Sequence, residues 1–161
     1  MSRLDSFIRR MSAQRDCLDA AAALIAGRDG AVLELGLGNG RTFDHLRALF
    51  PGHALYAFDR ELRAHPDCVP DAEHFFQGEL ADTLPRAAAR LGRAAVLAHL
   101  DLGSGRPERD RTIASLPPLL APLLQPGAVV ASDQPLDRAG WRAMALPASV
   151  AAGRYYLYRA E

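Results

Sequence analysis

The chain has 161 residues with 19 acidic and 19 basic side chains and a formal net charge of +0, a size for one domain and a charge balance that excludes the basic footprint of a nucleic-acid binder. All 19 of the basic side chains are arginine, since lysine is absent, which excludes Schiff-base chemistry. Cys17 and Cys68 are too few and too far apart in sequence for a zinc motif, and no apolar stretch has the length of a signal peptide or a bilayer span. The expectation is a single cytoplasmic domain over residues 1–161, with no membrane partner.

In chain order, Ser2-Arg3-Leu4-Asp5 has the form of a helix start, with Ser2 capping and Asp5 answering it. Leu4, Phe7, Ile8 and Met11 come next at helical spacing. The stripe falters at Gln14 and Arg15 and resumes at Leu18, Ala21, Leu24 and Ile25 before Gly27. Residues 1–28 are therefore expected to form a helical arm, as two helices or one bent one, that covers core or lids a ligand site. Its apolar stripe also suits pairing with a second copy.

The stretch Val32-Leu33-Glu34-Leu35-Gly36-Leu37-Gly38-Asn39-Gly40-Arg41 carries the strongest local signal in the chain. An apolar run meets three glycines at alternate positions, and helical spacing resumes at Phe43, Leu46, Leu49 and Phe50, which predicts strand, tight loop and helix. Glycine admits positive φ and has no Cβ, so such a loop turns sharply and lets a ligand press against its backbone. The helix behind it offers unpaired N–H groups and a positive dipole end, so the first expectation is a nucleotide-like ligand.

A second strand is predicted over residues 54–58, ending at Asp59, then a proline-interrupted loop over 61–70 and a short third strand at 74–77 before Gly78-Glu79. Thr83 with Pro85 predicts a helix start, and Gly92 its end. Residues 94–100 form an apolar fourth strand ending at Asp101, succeeded by a glycine-containing loop over 102–107. A helical stretch over 108–124 is expected to break at Pro117, Pro118 and Pro122, and Gln125-Pro126-Gly127 turns into a fifth strand at 128–132 before Asp133. Residues 141–146 and 155–159 have no room for a full helix between them and suggest an antiparallel hairpin. This alternation predicts an open, parallel α/β sheet with its ligand outside the carboxyl ends of the strands.

A dinucleotide loop reads G-x-G-x-x-G, whereas this one reads G-x-G-x-G, with Arg41 where the third dinucleotide glycine belongs. The loop, together with Asp59, Gly78-Glu79, Asp101 and the Pro126-Gly127 turn, resembles the class I S-adenosylmethionine-dependent methyltransferases from about Val32 to the C-terminal hairpin. The wording Gly36-Leu37-Gly38-Asn39-Gly40-Arg41-Thr42 further resembles a small bacterial subgroup of that family.

The resemblance implies a doubly wound, mostly parallel seven-stranded Rossmann-like sheet with its last strand antiparallel. Its cofactor would be S-adenosylmethionine, leaving S-adenosylhomocysteine as product, bound by Glu34, Gly36, Leu37, Gly38, Asn39, Gly40, Asp59, Arg60, Glu79, Leu80 and Asp101. The glycine backbone would meet the methionine part, and Glu34 would orient the loop or reach the ammonium through water. Asp59 would accept from the ribose hydroxyls, Glu79 from the adenine amino group beside the Leu80 N–H, and Asp101 would face the sulfonium.

Asp101 and Asp133 are the candidate general bases. His99, two residues before Asp101 on the same strand, would share its side of the sheet or serve only as a core histidine. Asp101, Asp133 and Gln134 also resemble the oxygen ligands of metal-dependent O-methyltransferases, a set that would suit Mg²⁺. Gln134 stands where asparagine is usual there, and no metal ligand is assigned. Asp101 is followed by Leu102-Gly103 rather than a Pro-Pro-aromatic run, and neither cysteine follows a proline, which argues against the nucleobase methylases. The expected function is methyl transfer to a small-molecule acceptor. The alternatives are a non-catalytic nucleotide-binding module of the same fold and, less favoured, a dinucleotide oxidoreductase.

Overall fold

The computed structural model describes residues 2–103 and 107–161. Helix α1 (Arg3–Leu24) is followed by β1 (Ala31–Leu35), α2 (Arg41–Leu49), β2 (Leu55–Asp59), β3 (Phe75–Gln77), α3 (Leu80–Leu91), β4 (Ala95–Leu100), α4 (Pro107–Leu120), β5 (Leu124–Ser132), β6 (Trp141–Ala143) and β7 (Tyr156–Ala160). Among the described residues the strands form one seven-stranded sheet in the order β3-β2-β1-β4-β5-β7-β6. The first five are parallel, and β7 runs antiparallel to both β5 and β6. This is the mostly parallel, doubly wound sheet with a C-terminal antiparallel element that the sequence predicts.

Side-chain alternation along the buried strands divides the core in two. Leu33, Leu35, Phe58, Ala98, Leu100 and Val130 pack with Leu84 of α3 and Leu116 and Leu120 of α4. Val32, Ala57, Leu97, Val129 and Leu157 pack on the other face with Cys17, Leu18 and Ala21 of α1 and Phe43 and Leu46 of α2. The same parity assigns Glu34, His99, Asp101 and Asp133 to the α1/α2 side. A polar row therefore continues an apolar face at the carboxyl ends of the central strands.

Several boundaries differ from expectation. The arm is a single helix, one of the two expected forms, started by the reciprocal Ser2–Asp5 capping box that the sequence predicts. Its second half is sealed into the core, while Leu4, Phe7 and Ile8 stay exposed. Helix α3 begins at Leu80 rather than near Thr83, because the Glu79 carbonyl accepts from the Asp82 and Thr83 N–H groups and from the Thr83 hydroxyl. Pro85 is thus inside the helix. Helix α4 carries Pro117 and Pro118 within its last turn and gives way to a 3-10 turn at Ala121–Leu123 containing Pro122. The β5 strand starts early, at Leu124, and its register on β4 shifts between Ala95 and Leu97, so the Gln125-Pro126-Gly127 turn is an irregularity within the strand. The loop expected over 102–107 lies partly outside the described residues. Among the described residues no helix is long and apolar enough to cross a membrane.

Leu18, on the sheet-facing side of α1, is fully buried. Truncation by Leu18→Ala is expected to cost about 2–5 kcal/mol through lost transfer energy and the cavity left behind. Denaturant unfolding checks this, and a loss below about 1 kcal/mol would mean that α1 is not part of the cooperative core.

Candidate functional site

Gly36 and Gly38 have φ of 93° and 50°, but they are glycine for different reasons. A Cβ on Gly36 would lie 2.5 Å from the Asp101 carbonyl oxygen, so the protein's own packing of the loop against the end of β4 forbids a side chain there. At Gly38 no described atom lies within 4 Å of the added Cβ. That position borders open cleft, and its backbone is available to a ligand. Gly40 is the N-cap of α2, in the left-handed region.

The loop is fastened to the end of β2. The Gly38 N–H donates to Asp59 Oδ2 at 2.9 Å, the Gly36 N–H donates to the Phe58 carbonyl at 2.9 Å, and Asp59 Oδ1 accepts from the Glu61 N–H at 3.3 Å. Gly36, Gly38, Asp59, Arg60, Glu79, Leu80 and Asp101 line one cleft of about 480 Å³, joined by Phe58, Gly78, Leu102 and Thr112. Arg60 stands 3.8 Å from Glu79 across its mouth. Seven of the residues singled out in the sequence therefore meet in one place.

The others lie around it. Leu37 is buried under the loop and Asn39 is exposed, its carbonyl accepting from the His65 N–H at 3.0 Å. Asp133 is tied to the segment after β4, accepting from the Gly103 N–H at 2.8 Å, the Leu102 N–H at 3.4 Å and the Gln134 amide at 3.3 Å. Burial pushes the Asp133 carboxyl above the usual range and the neighbouring Asp101 charge adds to this, while the donors to it pull the other way. Among the described residues no group of three or more His, Cys, Asp and Glu is arranged to hold a metal ion.

Glu34 is fully buried and does not line the cleft. Its two oxygens are engaged by the Thr42 hydroxyl at the start of α2 and by His99 Nδ1. The parallel register sets Glu34 directly beside His99. His99 Nε2 in turn meets the Tyr155 hydroxyl. Burial alone would strip the proton from His99, but the Glu34 carboxylate, with Asp101 and Asp133 beyond it, outweighs burial and holds the imidazole above its ordinary pKa. Gln14 completes the group. It is 4% exposed, its amide nitrogen donates to Asp101 Oδ2 at 2.9 Å and lies 3.5 Å from His99 Nε2, and Arg10, one turn earlier, stands 3.7 Å from Asp101 Oδ1. Sequence reasoning misses Gln14 and places Tyr155 only at the start of the C-terminal hairpin, whereas it is buried in the core with its hydroxyl on His99. The available signal is a polar residue interrupting an apolar stripe, since a buried amide needs a partner.

The sequence matches the model of a family described as S-adenosyl-L-methionine methyltransferase over residues 1–160. An S-adenosyl-L-methionine methyl transferase of solved structure from Silicibacter pomeroyi DSS-3 is 42% identical, with 99% of each chain covered and a TM-score of 0.93. The antibiotic-resistance methyltransferase Kmr matches at 12% identity over 91% of this chain and 92% of its own, TM-score 0.56. The plantazolicin methyltransferase BpumL, solved with S-adenosylhomocysteine, matches at 19% identity over 78% of this chain and 46% of its own, TM-score 0.51. The last two likenesses are of fold. No curated protein matches the sequence. The chain belongs to the S-adenosyl-L-methionine methyltransferase family, and its cofactor is S-adenosylmethionine.

The raised His99 pKa sets a pH dependence. The folded-state value lies above the ordinary 6.5, so the contribution of the Glu34–His99 pair is complete below that pH and fades as pH rises through the raised value. The stability difference between the unmodified protein and His99→Gln is expected to narrow with rising pH in denaturant titrations. A difference independent of pH would contradict a protonated His99.

Proposed function

We propose that this protein transfers the methyl group of S-adenosylmethionine to a small-molecule acceptor in the cytoplasm, with the cleft at the ends of β1, β2, β3 and β4 as its cofactor site. The observation that carries the reading is the Asp59 carboxylate, which lines the cleft while holding the N–H of Gly38. A carboxylate so fixed suits two ribose hydroxyls, each of which can donate to it. Glu79 and the buried Leu80, one strand further out in the same cleft, suit an adenine edge and ring. The open space at Gly38 suits the methionine portion.

Bound there, the cofactor would supply an electrophilic methyl on a sulfonium. The chain's own share is to bind, align and shield. The glycine loop and Asp59 fix the nucleotide, and Asp101 presents its charge where a cation is favoured. Alignment of acceptor and methyl, with water displaced, then provides much of the rate. For an acceptor that must lose a proton, Asp101, which lines the cleft, is the first candidate base, and Asp133, which does not line it but whose carboxyl pKa is raised by burial and by the Asp101 charge, is the second. A second cleft of about 440 Å³, lined by Asp110, Ile113, Ala114, Gln134, Pro135 and Asp137, includes the residue directly after Asp133 and has the dimensions of a small-molecule site. This supports an acceptor of that class.

Calorimetric titration with S-adenosylmethionine, S-adenosylhomocysteine and NAD tests the cofactor site, and binding of the two sulfur nucleotides without NAD is expected. Asp59→Ala is expected to weaken both by roughly 1.5–3 kcal/mol, the scale of hydrogen bonds to a charged group. Gly38→Val, which fills open cleft and also strains a backbone at positive φ, is expected to abolish binding, with thermal melting to verify that the variant still folds. Unchanged affinity in a folded Asp59→Ala protein would remove the ribose assignment.

A further inference from the structure

The cleft carboxylate Asp101 is held from below by a residue of the N-terminal helix. Gln14 sits among the buried Ala13, Cys17 and Leu18 of α1, yet its amide is aimed at the end of β4 and donates to Asp101 Oδ2 at 2.9 Å. The same nitrogen lies 3.5 Å from His99 Nε2, and His99 is itself fixed on one side by Glu34 and on the other by the Tyr155 hydroxyl. Glu34 reaches Thr42 at the start of α2. A polar row therefore runs beneath the cleft from Thr42 through Glu34 and His99 to Tyr155, and Gln14, packed beside His99, carries its donor on to Asp101.

A core position is a costly place for a free amide, whose burial is offset only when its donors are used. The apolar neighbours of Gln14 would accept leucine or methionine in its place, so packing alone does not call for glutamine. The local need is a neutral donor to a carboxylate, since lysine or arginine there would cancel the charge that Asp101 presents to the cleft. Arg10, half exposed at 3.7 Å from the other oxygen, is screened by solvent and weakly coupled.

We propose that Gln14 is a positioning residue for methyl transfer, fixing the Asp101 carboxylate toward the cationic sulfur of the cofactor and making helix α1 a working part of the site. This rests on the proposed cofactor site. Its consequence is selective. A displaced Asp101 loses attraction for a cation, so binding of S-adenosylmethionine suffers while that of the uncharged-sulfur product does not.

The test is titration of both nucleotides into the unmodified protein, Gln14→Met, Asp101→Asn and the double variant, with thermal melting to verify folding. Gln14→Met keeps length and apolar volume but removes the donor. It is expected to weaken S-adenosylmethionine several-fold, up to about tenfold, the scale on which a carboxylate shifted by about an ångström loses attraction for a nearby cation, and S-adenosylhomocysteine by less than about twofold. In the Asp101→Asn background the same substitution is expected to have no further effect, because the two residues act as one unit. Equal losses for the two nucleotides, or an undiminished loss in the Asp101→Asn background, would show a structural role only and overturn the proposal. Should Gln14→Met fail to fold, Gln14→Asn, which retains the amide but shortens its reach, is expected to show the same selective loss, and its absence overturns the proposal equally. Failure of the unmodified protein to bind either nucleotide would instead overturn the cofactor site itself.

Discussion

Glu34 places a carboxylate at 0% exposure near the carboxyl end of a buried parallel strand, where an unpaired charge would cost several kcal/mol. Its neighbours are what that cost demands. Thr42 supplies a hydroxyl from the first turn of α2, which fixes the helix and hence the exit of the glycine loop. His99 supplies a proton from the adjacent strand and needs a partner of its own, found in Tyr155 before β7. The pair thus ties β1, β4, α2 and the segment leading into β7 to one point beneath the cleft, and Gln14 brings α1 to the same point.

The cleft above inherits its geometry from this arrangement. The Gly36 turn packs against the Asp101 carbonyl, close enough to exclude any side chain. Gly38 is then free to face open space while its N–H fastens the loop to Asp59. One glycine thus serves the protein's packing and the other borders the space a ligand needs. The acidic residues split in the same way: Asp59, Glu79 and Asp101 face the cleft, while Glu34 is spent on internal support and Asp133 on holding residues 102 and 103.

Much of this is legible in the sequence. Apolar runs ending in an acidic residue mark the strands and their carboxyl ends, and alternation along 97, 99 and 101 puts His99 on the Asp101 side of the sheet. The glycine spacing sets the loop apart from a dinucleotide site, and the resemblance to the class I methyltransferases supplies the methionine-bearing nucleotide. Hidden from it is the register between β1 and β4, which sets Glu34 against His99, because an apolar face specifies parity but not which residues lie opposite. The partners of Gln14 and Tyr155 are hidden too, since they are 85 and 56 residues from His99 along the chain. The start of α3 at Leu80 and the passage of α4 through Pro117 and Pro118 depart from the local breaking signals because tertiary packing overrides them.

The proposal at the centre, that the glycine loop and the strand-end carboxylates form one nucleotide site, is tested most directly by a crystal structure of the protein with S-adenosylhomocysteine. The ribose hydroxyls are expected on Asp59, the adenine beside Glu79 and Leu80, and the sulfur at the Gly36–Asp101 end. A nucleotide seated instead against Asp110 and Asp137, or with its ribose turned away from Asp59, would contradict it.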